Sequence, residues 1–149
     1  VKFWTVANLG LFETKPLIPG LVELCYVQNT GGGFSILTEH TWLLTVVTAV
    51  LMIVVAWAMV KKLFPHPAAM WTMTLILGGG LGNFVDRVRL GYVVDMFHFE
   101  FLPSFPVFNV ADICVVCGAV LAVIYYLWFY EKYDKRGKAH GDADAPSES

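Results

Sequence analysis

Charged side chains are scarce in this chain of 149 residues: they make up 15% of it, whereas hydrophobic residues make up 57%. A soluble domain of this length carries about a quarter charged residues. Three runs contain no Asp, Glu, Lys or Arg at all, namely residues 42–60, 68–85 and 113–130. Each is close to the roughly 20 residues that a helix needs to cross a bilayer core. Because three such runs leave no polar shell to cover a soluble core, the chain is predicted to be an integral membrane protein.

Sequence motifs for metal or nucleophile chemistry are also missing. The four histidines are scattered, and the chain has no H-E-x-x-H, no G-x-S-x-G and no phosphate-binding glycine loop after a predicted strand. A zinc or serine protease would therefore lack its ligands or its nucleophile, and no metal or organic cofactor is expected. The glycine cluster at 78–82 lies inside a predicted spanning helix, where it indicates close helix packing.

Cysteines are few as well, and Cys25, Cys114 and Cys117 do not make a disulfide framework. The last two lie three residues apart on one predicted helix, which is a poor arrangement for a bridge. Their C-x-x-C spacing is a weak redox or metal signal without a second cluster. The simpler interpretation is that they are small apolar residues of the bundle.

The positions of lysine and arginine predict how the chain is oriented. Two lysines follow the first uncharged run and four basic residues follow the last, whereas the opposite side carries its basic residues on longer stretches. Short basic connections face the cytoplasm. We therefore expect residues 61–67 and the polar tail 131–149 to be cytoplasmic, and residues 13–40 and 86–111 to face outward.

This orientation places the first residue outside the membrane. We therefore expect a further span upstream of Val1, with residues 3–12 as its outer end. The intact protein would then have four spans, three of them complete here. Residues 1–130 would form one membrane-embedded domain.

The outward segments carry strand signals. Residues 21–28 alternate apolar and polar side chains, and residues 91–101 are β-branched and aromatic. We expect residues 21–37 and 91–108 to form an outer sheet and lid region. The predicted fold is a mainly α membrane protein, a bundle of four helices with a small β-sheet cradle at the outer membrane surface.

Two acids interrupt the apolar setting at the predicted outer rim. Asp95 stands within YVVDMF, and Asp112 ends FNVAD at the start of the last run. Carboxylates are costly at the edge of hydrocarbon, so a pair there indicates a function. Asp112 would alternatively cap the last helix, and Asp95 would alternatively be a solvated loop acid. Together they suit a general acid–base pair for peptide hydrolysis, because close carboxyls share one proton and can activate water.

Polar side chains at other outer edges are candidate companions of the acids. Asn29, Asn83 and Asn109 are each explained alone by a cap or a turn, but together they would form a hydrogen-bonding frame for a substrate backbone. Asp86 and Arg87 form a local ion pair or an interfacial anchor in the simplest interpretation. Alternatively, Arg87 orients a catalytic carboxylate or holds a substrate carbonyl.

A non-enzymatic membrane protein, such as a small transporter, is the main alternative function. Its carboxylates would carry protons or bind ions near the middle of the bilayer, on broken helices in paired halves. Both acids here lie at one predicted edge, and the sequence shows no internal repeat. These two features favour a hydrolase.

Four blocks of the sequence, YVQNTGGGFS, GNFVDR, GYVVDMF and FNVAD, resemble in order and spacing the lipoprotein signal peptidases, the type II signal peptidases of bacteria. The resemblance covers residues 1–130. It implies a four-span aspartyl endopeptidase of the bacterial inner membrane that removes the signal peptide of prolipoproteins. Cleavage would occur near the periplasmic face, before a diacylglyceryl-modified cysteine. The implied enzyme is a monomer without a cofactor that contacts membrane lipid and binds no nucleic acid.

The resemblance also implies roles for single residues. Asp95 and Asp112 match the catalytic pair of the family. The positions that match its substrate-binding residues are Lys2, Asn29, Gly31, Phe34, Asn83, Arg87 and Asn109. Lys2 matches the lysine that closes a D-Q-x-x-K motif, whose Asp and Gln are expected upstream of Val1. The family usually has Gly-Ala-Ala-Phe where this chain has Gly-Gly-Gly-Phe at 31–34, and extra glycine is expected to loosen that loop.

Overall fold

The computed structural model describes the backbone of residues 1–31 and 40–135, with side chains up to residue 130. Its strands lie in two regions of the chain, within residues 14–29 and within residues 93–99. The elements in order are α1 Lys2–Asn8, β1 Thr14–Ile18, β2 Val22–Asn29, α2 Thr41–Val60, α3 Pro67–Leu90, β3 Val93–Phe99 and α4 Val110–Tyr125, which continues as the π-helical segment Tyr126–Lys135.

Three helical stretches are long and apolar enough to cross a membrane: residues 41–60, 67–90 and 110–130. They cover the three uncharged runs, so the predicted spanning helices and the mainly α membrane fold are confirmed. Large apolar side chains point away from the protein, as Trp42 and Trp71 show with 65% and 70% of their surface exposed. An apolar surface of this extent is stable against lipid tails, whereas in water it would drive association.

Capping residues explain where α3 begins and ends. His66 precedes the helix, and its Nδ1 accepts a hydrogen bond from the backbone N–H of Ala68 at 3.2 Å. Pro67 occupies the first turn, where its missing N–H leaves no hydrogen bond unmade. Gly91 ends the helix in the left-handed conformation, with φ of 80°. This sharp end turns the chain directly from α3 into β3.

The three strands form one antiparallel sheet in the order β1-β2-β3, which confirms the predicted small sheet. β2 and β3 agree with the predicted strand segments to within two residues. β1 was not predicted, because Pro16 interrupts it and all five of its residues are exposed, so no alternation of buried and exposed positions marks it. The buried core beside the sheet is formed by Leu9, Tyr26, Val94 and Met96.

Glycines allow α3 and α4 to approach closely. A Cβ on Gly79 would overlap the carbonyl oxygen of Ala111, and a Cβ on Gly82 would lie 3.2 Å from the Cβ of Ala111. Lower in the bundle, a Cβ on Gly118 would lie 2.7 Å from Cγ1 of Ile76. Small residues at such contacts bring helix backbones together in a membrane. The outer end of α3 and the start of α4 are therefore held side by side.

Several predictions about organisation stay predictions. The contacts between the described residues do not test three of them: the upstream span, the orientation in the membrane and the domain boundary at residue 130. Residues 32–37 of the predicted lid region lie outside the described residues, as does the tail beyond residue 135. Helical backbone continues to Lys135, five residues past the predicted end of the last span.

Replacing Gly79 by alanine should destabilise the bundle, because the new Cβ would overlap the Ala111 carbonyl oxygen and lie 2.8 Å from Cγ2 of Val115. Overpacking of this kind costs about 1–3 kcal/mol. Gly78→Ala is the matched control, since its Cβ would meet no atom within 4 Å and alanine favours a helix. Thermal unfolding in detergent should give a lower midpoint for Gly79→Ala than for Gly78→Ala. Equal midpoints would contradict the close approach of α3 and α4.

Candidate active site

A backbone bridge brings the start of α4 against β3. The N–H of Phe108 donates to the carbonyl of Phe97 at 3.0 Å, and the N–H of Phe97 donates to the carbonyl of Phe108 at 2.8 Å. Asn109, the next residue, is thereby placed beside the buried Asp95 of β3. Its Nδ2 donates a hydrogen bond of 2.6 Å to Oδ1 of Asp95.

Asp112 takes part in the cap of α4 and also faces the site. Asn109 Oδ1 accepts from the backbone N–H groups of Ala111 at 2.7 Å and Asp112 at 3.2 Å. In return, Asp112 Oδ2 accepts from the backbone N–H of Asn109 at 2.9 Å, which completes a capping box. The other oxygen, Oδ1, accepts from Nδ2 of Asn83 at 2.7 Å. The capping interpretation is thus correct, and it leaves one carboxylate oxygen for the site.

The three asparagines converge on the two acids. Oδ1 of Asn83 accepts from Nδ2 of Asn109 at 3.1 Å, so the two carboxyl groups are linked through two amides. Asn29 donates from its Nδ2 to Oδ2 of Asp95 at 2.9 Å. Each oxygen of both carboxyls therefore has a donor. The three asparagines do converge, but they bind the acids and one another, and a contact with a substrate backbone stays a prediction. The hydrogen bond from Asn109 to Asn83 was not foreseen, because no spacing in the sequence encodes it.

Asp86 forms its ion pair with Lys2, against the simplest interpretation in which it pairs with Arg87. Its Oδ2 accepts from Lys2 Nζ at 2.7 Å and from the backbone N–H of Val94 at 3.0 Å. Lys2 Nζ also donates to Oδ1 of Asn83 at 2.8 Å. These contacts connect α1 and α3 to β3 at Val94, the residue before Asp95.

Arg87 holds the chain just beyond β2. Its Nη2 donates to the carbonyl of Gly31 at 3.0 Å, and the N–H of Gly31 donates to Oδ1 of Asn29 at 2.9 Å. The Nε of Arg87 is buried and has no hydrogen-bond partner among the described residues. A buried donor without a partner is costly, so a group that enters the site and accepts from it would gain from the contact.

A cavity of about 410 Å³ opens over the acids. Its polar lining includes Asn29, Asn83, Arg87, Asp95 and Asp112. Its apolar walls come from α2, from the segment between β3 and α4, and from α4, and include Leu51, Met52, Phe105, Pro106, Phe108 and Val115. The α2 wall was missed by sequence reasoning. Thr48 also lines the cavity. It is a polar residue within the apolar run, and this could have indicated that α2 borders the site.

Lys2, Gly31 and Asn109 lie outside this lining. Lys2 contacts Asn83, and Gly31 contacts Arg87, so each touches a lining residue without bordering the cavity itself. Phe34 lies outside the described residues. Asn109 is fully buried beneath the acids. Within residues 1–31 and 40–130, no group of three His, Cys, Asp or Glu side chains is arranged to hold a metal ion.

Burial sets the electrostatics of Asp95. It raises the pKa of this carboxyl from 3.8 to about 6, because an anion loses hydration in the protein interior. The hydrogen bonds from Asn109 and Asn29 act in the opposite direction, since they favour the anion. The nearby charge of Asp112 raises the pKa further. Asp95 can therefore keep a proton at mildly acidic pH, which an exposed aspartate cannot.

The sequence and fold are similar to those of known proteins. A family described as signal peptidase (SPase) II matches residues 1–128. The lipoprotein signal peptidases of Streptococcus pyogenes serotype M2 (strain MGAS10270) and serotype M5 (strain Manfredo) are each 45% identical to this chain over 112 residues. The match covers 72% of this chain and 70% of each relative.

Two solved structures share the fold. Both are described as bacterial membrane enzymes studied by the in meso method, at 2.3 Å and 1.9 Å resolution. The first superposes with a TM-score of 0.79 and covers 85% of this chain and 77% of its own. The second has a TM-score of 0.77 and covers 86% of this chain and 83% of its own. Each is 26% identical in sequence to this chain.

The raised pKa of Asp95 should make folding stability depend on pH. Above the ordinary value of 3.8 the unfolded chain ionises this carboxyl freely, whereas the folded chain resists ionisation up to about pH 6. The contribution of Asp95 to folding stability is therefore fully present below that ordinary pKa and is lost as the pH rises through about 6. The Asp95→Asn variant has no carboxyl group at this position to ionise, so it does not lose stability in this way. The difference between its thermal midpoint and that of the wild type should therefore increase from about pH 4 to about pH 7.

The exposed carboxyl of Glu13 provides the control for this measurement. Its pKa is lowered, chiefly by the hydrogen bond from the backbone N–H of Gly10. Glu13→Gln should therefore show no rise relative to wild type above about pH 5. A pH-independent difference between Asp95→Asn and wild type would show that Asp95 is not held in a desolvating environment.

Proposed function

This chain belongs to the signal peptidase II family, and from that premise we propose that it is an aspartyl endopeptidase that removes the signal peptide of prolipoproteins. Its three membrane-length helices and its family make it a protein of the bacterial inner membrane. We propose that cleavage takes place before a diacylglyceryl-modified cysteine, at the periplasmic end of the bundle. The relatives from Streptococcus pyogenes carry the name lipoprotein signal peptidase, which supports this substrate.

One observation carries the aspartyl mechanism. Asp95 and Asp112, from a strand and a helix, border one cavity and are linked by the amides of Asn109 and Asn83. Two carboxyl groups in such proximity disfavour a second negative charge, so that the pair holds one proton. The remaining charge is available as a base and the proton as an acid, which are the two functions that peptide hydrolysis requires.

The environment of the acids supports a division of roles. Asp95 is 2% exposed and has the raised pKa, so we assign the proton to it. Asp112 lies at the N-terminus of α4, where its Oδ1 accepts from Nδ2 of Asn83 and its Oδ2 from the backbone N–H of Asn109, and we assign the base to it. A water molecule between them would lose a proton to Asp112 as its oxygen attacks the scissile carbonyl. Asp95 would donate its proton to the carbonyl oxygen, which gives a neutral tetrahedral diol.

Collapse of this diol completes the reaction. As the C–N bond breaks, the leaving nitrogen takes the proton that Asp112 received from water. One hydroxyl of the diol returns its proton to Asp95, so that the carboxyl product and the amine separate and the pair is restored. Arg87 lines the cavity, and its guanidinium is the donor that we assign to a carbonyl of the bound peptide. Apolar walls such as Met52 and Phe108 exclude bulk water, which strengthens each electrostatic interaction in the site.

The bilayer would determine the depth at which the substrate is cleaved. We propose that the substrate enters from the lipid phase and that its acyl chains remain among exposed apolar side chains, which fixes the modified cysteine near the rim. We propose that the enzyme acts as a monomer, since the residues of one chain supply both acids and the asparagines that bind them. The acidic pair requires no cofactor in this mechanism.

Asp95→Asn and Asp112→Asn should each lower cleavage of a diacylglyceryl-modified prolipoprotein peptide at least about a thousandfold, because each removes one half of the acid–base pair. Product would be measured by mass spectrometry with purified protein in proteoliposomes. An unlipidated twin of the peptide should be cleaved far more slowly by the wild type, since it lacks the anchor that sets its depth.

Glu13→Gln is the control, because this acid is exposed and lies outside the cavity. It should retain wild-type activity. Full activity of either aspartate variant would rule out the acidic pair as the catalyst. Equal cleavage of the lipidated peptide and its twin would rule out recognition of the lipid.

The pH profile of cleavage should depend on Asn29. Wild-type activity should fall as the pH rises through about 6, where the acid form of the pair is lost. Asn29→Ala removes a hydrogen bond that lowers the pKa of Asp95, so the fall should move to higher pH. Gln28→Ala, on the same strand but bonded to Tyr26, should leave the profile in place. A shift of the Asn29→Ala profile to lower pH would contradict the assignment of the proton to Asp95.

A further inference from the structure

A second cavity lies deeper in the helix bundle and has no part in the chemistry described above. Its volume is about 290 Å³, and its walls expose only apolar atoms. It is bordered by α2, α3, α4 and the start of the π-helical segment, with Val55, Ala58, Ala69, Met73, Ala122 and Tyr126 among its residues. A cavity of about 150 Å³ with apolar walls holds one benzene-sized group, so this one has space for two such groups.

The two cavities lie along one seam of the bundle. Both are lined by residues of α2, α3 and α4. Ile76 lines both cavities, so they adjoin at this residue. Going inward along α3 from Asn83, which borders the acids, Met73 and Ala69 follow after 10 and 14 residues. At 1.5 Å per residue, the deeper cavity lies about 15–21 Å below the acids.

We propose that this second cavity binds large apolar side chains of the signal peptide, about 10 to 14 residues before the scissile bond. The inference rests on the proposed function, which supplies a substrate with an apolar segment on the inner side of the cleavage site. A helical signal peptide that leaves the cleavage cavity along α3 advances by the same rise per residue as α3 itself. The side chains of the signal peptide about 10 to 14 residues before the scissile bond would therefore lie at the second cavity.

The continuity at Ile76 favours the peptide over a lipid acyl chain as the occupant, because the seam leads directly from the acids to the deeper cavity. Lipid tails surround both partners, so the hydrophobic effect contributes little and the gain comes from packing contacts. We expect about a fivefold preference for large apolar side chains, which corresponds to about 1 kcal/mol. The cavity would thus be a specificity site that acts on rate and affinity without touching the reacting atoms.

The test compares two diacylglyceryl-modified peptides that differ only 10 to 14 residues before the modified cysteine, with leucines there in one and alanines in the other. Wild-type protein in proteoliposomes should cleave the leucine peptide with about fivefold higher kcat/KM. Ala122→Phe fills the cavity from α4 and should bring this ratio to about one. Ala119→Phe places the same ring on the exposed face of α4 and should keep the ratio. Ala58→Phe fills the cavity from α2 and replaces Ala122→Phe if that variant does not fold.

Each alternative outcome has a definite meaning. A wild-type enzyme that cleaves both peptides equally, or an Ala122→Phe enzyme that keeps the preference, overturns the proposal. If both peptides slow by the same factor in Ala122→Phe, the cavity holds a lipid or has a purely structural role, and the proposal is again overturned. If the wild type cleaves neither peptide, the proposed function itself is wrong, and this inference falls with it.

A direct measurement does not depend on folding of the cavity variants. A photo-reactive leucine placed about 12 residues before the modified cysteine should label residues 54–58 or 122–126 when the peptide is bound to the inactive Asp95→Asn protein. Labelling confined to the exposed face around Ala119 would overturn the proposal.

Discussion

The amide of Asn109 joins the parts of the candidate site. Its oxygen caps α4, while its nitrogen donates to Asp95 at 2.6 Å and to Asn83 at 3.1 Å. The side chain is completely buried, so a displacement would leave a buried polar group without a partner and cost free energy. The relative position of Asp95 and Asp112 therefore depends on one side chain that serves a helix, a strand and a neighbouring helix at once.

Two features of the packing allow Asn109 to reach these partners. The backbone bridge between Phe97 and Phe108 returns the chain to β3 just before α4 begins. The small surface of Gly79 lets α4 approach α3, which carries Asn83. Phenylalanine rings pack around the bridge at centroid distances of 5.0 to 5.8 Å, so apolar packing supports the polar site from below.

The same burial that makes the acids costly makes them suitable for chemistry. Asp95 keeps its proton more tightly because it is removed from water, and the amides of Asn29 and Asn109 prevent it from being left without partners. The seam between α2 and α4 extends this site inward past Ile76. A substrate that follows the seam would be held along its length, so that the free energy of remote contacts contributes to orientation at the acids.

Hydropathy and charge along the chain were sufficient to predict the three membrane helices and two of the three strands, and they singled out the two acids that border one cavity. These are local properties, because solvation by lipid or water is decided residue by residue. Contacts between distant residues were not accessible in this way: the hydrogen bond from Asn109 to Asn83, the ion pair of Asp86 with Lys2 and the α2 wall that includes Thr48 depend on how helices pack. Packing is decided by the complementarity of whole surfaces, which no stretch of sequence contains alone. The sequence therefore determined which groups are present and which segments form membrane-length helices, and the tertiary structure decided which of these groups meet.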